Sequence, residues 1–369
     1  MSRIDRRTFL KGTAATAVGA GLIADDLWAT APAAPRSEAA AKAAAPPLPV
    51  RTLGRTGLEV TPVSFGGIQI QHERLLHMAI DRGIKLVHTS PGYGGGRSIE
   101  LFGKVMKERR QEVILALKAS PVGGIDEYLK ILNTDSVDLL VPPLHSVEKM
   151  RDPELPGAYA KLKEEGKIRF SGYACHNNVP AVMDLSVDLG FFDVMLIAYN
   201  LGNREQLDPI LVRARTEQNM GFLSMKAAKG VAGEDLPATF ASLLTNPRVD
   251  TLLVGMATYG EVKANAAVTG TGLGLMDRMR LRQYADLPAT ACAMCGACDV
   301  CPRGVAVADI LRCGLYRDRG EVALAAGTYG ALAPQQTLAA CDDCGQCQRA
   351  CPRSREVLSE LREVHAALA

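Results

Sequence analysis

The chain has 369 residues, and at roughly 150 residues per domain that predicts two or three domains. Hydrophobic residues make up 47% and charged residues 22%, enough core to exclude global disorder, collagen and coiled-coil arrays. Lys plus Arg number 42 against 40 Asp plus Glu, a net charge of +2 with no basic excess for a phosphate backbone, so nucleic acid is excluded as the expected partner. No uncharged apolar run reaches the roughly 20 residues of a bilayer span, and no transmembrane helix is expected in the mature chain.

At the start of the chain, Arg6-Arg7-Thr8-Phe9-Leu10-Lys11 places two adjacent arginines ahead of an apolar pair, and 13 small uncharged residues follow over 12–24. This pattern resembles a twin-arginine export signal over 1–35, because the apolar stretch suits a signal core and is too short to span a membrane. The resemblance implies export through the twin-arginine route to the periplasm; the competing reading is an Ala-rich tail. Residues 29–49 hold ten Ala and five Pro, a composition that cannot pack a core, so 36–50 reads as a linker.

From Arg51 onward, short β-branched or apolar runs alternate with amphipathic stretches, the pattern of parallel strands joined by crossover helices. Strands are expected over 60–65, 84–88, 112–118, 137–141, 168–174, 193–199, 221–226 and 251–254, with helices over 98–107, 153–165 and 259–268 among those that follow them. Eight such units over 51–285 predict an α/β fold, a (β/α)8 TIM barrel, and the competing architecture is an open doubly wound sheet. Barrel chemistry sits at the C-terminal strand ends and the loops beyond them. Those positions hold His88, Tyr93, Lys118, His145, Cys175, Tyr199 and Lys226.

Several fragments in chain order resemble the aldo-keto reductase family. They are Arg51-Thr52-Leu53-Gly54-Arg55 with Ser64-Phe65-Gly66-Gly67, then His88-Thr89-Ser90-Pro91-Gly92-Tyr93-Gly94, where the family has Asp-Thr-Ala-x-x-Tyr-Gly. Leu101-Phe102-Gly103-Lys104, Ala116-Leu117-Lys118, Gly166-Lys167-Ile168-Arg169, Met225-Lys226 and Val254-Gly255-Met256 with Asn265 continue the match. The resemblance implies reduction of a small carbonyl compound, or oxidation of an alcohol, with NADP(H) or NAD(H). It makes Tyr93 the proton donor, Lys118 the ammonium that lowers its pKa, and His145 the group that orients the carbonyl oxygen. His88 stands where the family carries Asp, so Lys118 lacks a countercharge, and Leu196 stands where the family often carries Gln. For the cofactor, the resemblance implies Lys226, Gly255, Met256, Thr258 and Asn265 near the phosphates, and His176, Asn177 and Tyr199 near the nicotinamide.

Nine of the ten cysteines fall between Cys292 and Cys351. Cys292-x2-Cys295-x2-Cys298-x2-Cys301-Pro302 precedes Cys341-x2-Cys344-x2-Cys347-x3-Cys351-Pro352, and the second run has the bacterial ferredoxin spacing, in which the fourth cysteine serves the other cluster. Residues 286–369 therefore read as a small, α-rich ferredoxin-like domain with two four-iron four-sulfur (4Fe-4S) clusters. One cluster is expected on Cys292, Cys295, Cys298 and Cys351, and the other on Cys341, Cys344, Cys347 and Cys301. Cys301 ends a run one residue shorter than the ferredoxin form, and Cys313 is its substitute or a buried helical thiol. Zinc and disulfides are the rival readings.

Together these readings describe an exported iron-sulfur oxidoreductase with a redox partner protein. The alternative is an electron-transfer or interaction protein whose barrel is a weak or inactive scaffold.

Overall fold

Eight strands close into a parallel barrel in chain order. They are β1 (Val63–Gly66), β2 (Leu86–Thr89), β3 (Ile114–Leu117), β4 (Val137–Leu140), β5 (Ile168–Cys175), β6 (Val194–Ala198), β7 (Gly221–Met225) and β8 (Thr251–Gly255), with Val254 of β8 registered beside Phe65 of β1. The computed structural model describes residues 48–270 and 272–369. The export signal expected over 1–35 and nearly all of the expected linker lie outside the described residues. Every expected strand overlaps an observed one, and closure of β8 onto β1 removes the open-sheet alternative. Among the described residues no helix is long and apolar enough to cross a membrane.

The helices α1 (Glu73–Asp81), α2 (Arg97–Arg109), α3 (Asp126–Ile131), α4 (Glu154–Glu164), α5 (Val179–Leu189), α6 (Arg204–Gln218), α7 (Leu236–Leu244) and α8 (Tyr259–Ala266) alternate with the strands. Strand side chains therefore sort by parity. Leu86, Ala116, Leu139, Ala174, Leu196 and Leu223 fill the barrel interior. Their neighbours Val87, Leu115, Cys175, Ile197 and Phe222 pack in the core shared with the helices.

A two-stranded ribbon pairs Arg51 with Val60 and Thr52 with Glu59, and it sends Leu53, Leu58 and Val60 into the same interior. It lies at the N-terminal strand ends, where Arg55 N donates to Asn219 O at 2.6 Å. Gly54 has φ +48, and a Cβ there would lie 2.3 Å from Gly221 N. The ribbon seals one end of the barrel and leaves the C-terminal end for chemistry.

That end is covered by the cysteine-rich segment, which carries α9 (Leu275–Leu281), α10 (Val307–Arg317), α11 (Val322–Gly330) and α12 (Val357–Leu368). Ile310 and Cys313 of α10 join Tyr329, Leu361 and Val364 in a small core of their own. At helical spacing on another face of α10, Asp309, Arg312 and Tyr316 meet the barrel: Asn177 Nδ2 donates to Asp309 Oδ1 at 3.1 Å, and Tyr316 stands edge-on to His176.

The first cysteine loop is also held by barrel backbone. Val179 N donates to Met294 O at 3.0 Å, Lys229 Nζ to Cys292 O at 2.8 Å, and the Met294 side chain enters the main core. Gly296, with φ +80, allows this close approach, since a Cβ there would lie 2.9 Å from Asn178 Cβ. Gly296→Ala should therefore cost about 1–3 kcal/mol through backbone strain and overpacking. Gly157→Ala is the control, because that site is open and free of positive φ. Thermal unfolding of both variants checks this; equal midpoints would show that the loop does not need the close contact.

Candidate active site and cysteine pocket

Parity brings His88 to the inner face two residues beyond Leu86, and Lys118 two residues beyond Ala116. The loop after β2 carries Tyr93 back over the opening. His88, Tyr93, Lys118, His176 and Lys226 line one chamber of about 60 Å³ with Gly66, Met225, Leu253 and Gly255. The Tyr93 and His88 rings meet edge to face at 5.8 Å, and Lys118 Nζ lies 5.7 Å from the Tyr93 ring centroid.

Lys226 follows the inward-facing Met225, so alternation alone would turn it outward. Its φ of +59 is left-handed and lets the side chain line the chamber instead. Such a backbone costs on the order of 1–3 kcal/mol and is characteristic of functional sites.

Burial dominates the titration of these groups. It pushes His88 down to about 3, with the Lys118 charge adding to the effect, so the imidazole is neutral and its Nε2 has no hydrogen-bond partner. Lys118 is lowered to about 7 by burial and then by Arg312. Lys226 is lowered to about 7 by burial and then by Arg319, Lys118 and Lys229, against the opposing pull of Glu321. The acidification of Tyr93 expected from Lys118 is opposed in the structure. Burial, followed by Tyr316 and Glu321, pushes the Tyr93 hydroxyl above its ordinary range.

His145 stands one layer back from the chamber. His176 N donates to His145 Nδ1 at 3.3 Å and the two rings stack at 4.8 Å, which leaves His176 as the imidazole on the chamber wall. Burial holds both imidazoles well below their usual pKa, with Arg312 the next contributor for His145 and Lys118 the next for His176. Asn177 turns away, toward Asp309 and the cysteines. Tyr199, expected near the nicotinamide, is three residues beyond the inward Leu196 and faces the helices: its hydroxyl donates to Asp208 Oδ1 at 2.7 Å.

From the chamber, Lys226 and Gly255 lead into an adjoining groove of about 240 Å³ that Asn265 also lines. These three residues fit a dinucleotide. Met256 is fully buried instead. Thr258 caps α8, and Glu261 Oε2 accepts from Ala257 N at 2.6 Å and Thr258 N at 3.0 Å. Amides that a phosphate could use at the start of α8 are thus already taken by a carboxylate.

Three participants were not legible in the sequence. Tyr316 and Arg319, from α10 and the turn after it, line the chamber; Tyr316 Oη lies 3.5 Å from His176 Nδ1, and Lys226 Nζ lies 5.3 Å from the Tyr316 ring centroid. The third, Arg312, pairs with Asp309 at 2.7 Å beside the cysteines.

Cys292, Cys295, Cys298 and Cys351, the four expected to share one cluster, line a single cavity of about 100 Å³ together with Asn177, Lys229, Arg312, Arg353 and Arg355. Cys298 is pushed up to about 12 by burial, with Cys292, Asp299 and Cys295 adding to it. Four thiolates in this space need positive charge among them, which an iron-sulfur cubane and the flanking cations suit.

Of the second set, Cys301, Cys341 and Cys347 pack at the edge of the small core, and Cys347 is raised by burial and by the nearby Cys341 and Cys301. None of the ten cysteines is joined in a disulfide. Among the described residues no three His, Cys, Asp or Glu side chains are gathered as a metal site. Cys313 is fully buried in an apolar core and raised to about 11, chiefly by burial, and Cys175 is raised to about 12 by burial, so both behave as structural thiols.

Residues 69–227 match the aldo/keto reductase family model. The chain is 30% identical over 182 residues to aldo-keto reductase YhdN of Bacillus subtilis, covering 42% of this chain and 52% of that protein. It spans about half the length of the curated relatives it matches. The structure of an aldo-keto reductase from Bacillus halodurans superposes with a TM-score of 0.55 at 20% identity, over 67% of this chain and 99% of that one. A Klebsiella pneumoniae aldo-keto reductase in complex with NADPH gives 0.53 at 17% identity, over 67% and 97%. At these identities the two structures speak for the fold alone. Fold, strand-end residues and family match agree, and the chain carries an aldo/keto reductase family domain.

Proposed function

We propose that the chain is an oxidoreductase that interconverts carbonyl and alcohol groups of a small molecule, and that it is exported by the twin-arginine route to the periplasm with two 4Fe-4S clusters in place. The observation that carries the reading is the convergence of Tyr93, Lys118 and His88 on one buried chamber continuous with a groove lined by Lys226, Gly255 and Asn265. A nicotinamide dinucleotide, NADP(H) or NAD(H), would supply a hydride when held along that groove by Gly255 and Asn265. Tyr93 Oη gives its proton to the carbonyl oxygen, and the Lys118 ammonium favours the phenolate left behind. His176, backed by His145, offers a neutral imidazole to the same oxygen. The appended domain would hold its clusters on the two four-cysteine sets and exchange electrons with a redox partner protein.

A second reading keeps its place because of one observation. Tyr316 and Arg319 reach over the barrel mouth and leave a chamber of only about 60 Å³, which supports a barrel serving as scaffold for an electron-transfer or interaction protein.

Tyr93→Phe keeps the ring and removes the proton, so turnover should fall by roughly 10²-fold or more with dinucleotide binding preserved. Because Lys118 is lowered to about 7, its charge is present below that pH and lost above it. Carbonyl reduction should therefore decline as pH rises through about 7. Steady-state rates with and without the phenol test both; an undiminished Phe variant that still reduces carbonyls overturns the assignment of Tyr93.

Anaerobic purification should yield about eight iron and eight labile sulfide per chain. Four iron would mark Cys301 as the failing ligand, and stoichiometric zinc without iron would overturn the cluster reading.

Replacing Arg6 and Arg7 by Lys should retain the protein in the cytoplasm, as cell fractionation would reveal. Unchanged export would remove the twin-arginine assignment.

A further inference from the structure

The chamber gathers cations that the protein does not neutralise. Lys118 is buried beneath the opening, Lys226 is turned into it by a left-handed backbone, and Arg319 closes it from the cysteine-rich domain. Among the described residues none of the three side chains makes an ion pair or hydrogen bond with another protein group. Arg312 adds a further positive charge near Lys118, although it is itself paired with Asp309. The acidic group that faces Lys226 is Glu321, which is not within ion-pair distance of it. His88, His145 and His176 are neutral and supply no countercharge. Lys118 and much of Lys226 are withdrawn from water, which costs free energy until an anion meets them, and Arg319 adds its charge from the exposed rim.

We propose that the chamber is a binding site for a small carboxylate bearing an adjacent oxo or hydroxy group, with the carboxylate taken by Lys226 and Arg319 and the oxo or hydroxy oxygen turned toward Tyr93 and Lys118. The inference rests on the oxidoreductase reading for the second half of that statement, and on the charge inventory for the first. Size narrows the class. A cavity of about 60 Å³ holds a ligand of a handful of heavy atoms, given that a water-sized group needs roughly 10–15 Å³ of such space. An acid of that size carries its carboxylate and its reacting carbon as neighbours. His176, Tyr316, Met225 and Leu253 supply the flat and apolar walls that such a molecule needs beside its two polar ends.

Arg319 and Lys226 line both the chamber and the groove, so a substrate carboxylate and a dinucleotide phosphate are the two anions to separate. Calorimetric titration of the purified full chain with pyruvate, hydroxyacetone and inorganic phosphate does this, repeated in saturating NADH and in saturating NADPH. Pyruvate should bind at least tenfold more tightly than neutral hydroxyacetone and than phosphate, with or without dinucleotide. Arg319→Met and Lys226→Met should each weaken pyruvate binding about tenfold or more, the loss expected for one charge-assisted contact. Arg319 is exposed on the surface, so its variant should keep the parent's thermal midpoint.

Equal binding of pyruvate and hydroxyacetone overturns the site. So does phosphate binding as tightly as pyruvate, which would mark a generic anion pocket, or competitive displacement of pyruvate by either dinucleotide, which would give the two cations to cofactor phosphates. Pyruvate binding with no dinucleotide binding would support the carboxylate site while removing the nicotinamide reading, so the two failures are distinguishable.

Discussion

The structure depends on the barrel having only one end free. Eight parallel strands buried on both faces must be covered by helices outside and filled by side chains inside. The Arg51–Val60 ribbon completes the filling at the N-terminal ends with Leu53, Leu58 and Val60. Groups that contribute little to packing are thereby confined to the opposite end. His88, Lys118 and His176 each sit one inward step beyond an apolar residue, at Leu86, Ala116 and Ala174 respectively. The position of the chemistry follows from the interior being full.

Covering that free end changes its electrostatics. A barrel mouth open to water would tolerate lysines, because solvent screens them. Here α10 lays Tyr316 across it with Arg312 one turn behind, and the following turn adds Arg319. Burial is then the largest cause of the lowered pKa at both Lys118 and Lys226, and the appended arginines are the second. The cysteine-rich segment thus acts on the barrel as a wall and as a source of positive charge, two effects that a barrel with an open mouth would not feel.

The strands were legible because fully buried parallel strands are short apolar runs, and their C-terminal ends could be counted off without coordinates. Parity within a strand was legible too, and it corrects Tyr199: Leu196 faces inward, so a residue three positions on faces the helices. The capping box at Thr258 and Glu261 is likewise a local pattern, Thr-x-x-Glu, that marks those amides as occupied. His176 was seen as a neighbour of the site, but its precedence over His145 depends on how two loops stack. Arg319 could not be read at all. Its place beside Lys226 on one chamber brings together residues 93 positions apart and exists only because α10 docks on the barrel, while locally it is one more arginine in a turn.

The same docking leaves a thin wall between the two cavities. On the barrel side the wall is His176 and Asn177, consecutive residues of which the first lines the chamber and the second lines the cysteine pocket. On the other side it is Tyr316 and Arg312, one helical turn apart on α10 and divided in the same way. Tyr316 Oη meets His176 Nδ1 at 3.5 Å and Asn177 Nδ2 meets Asp309 Oδ1 at 3.1 Å, so the two halves of the wall are fastened to each other. A wall one residue thick, made of an imidazole, a phenol, a carboxamide and a guanidinium, does not isolate its two sides. A charge placed among Cys292, Cys295, Cys298 and Cys351 acts at short range on Arg312, and Arg312 is the second-largest influence on Lys118. Arg312 lines the cysteine pocket and also bears on Lys118, so the charge of one guanidinium is felt on both sides of the wall.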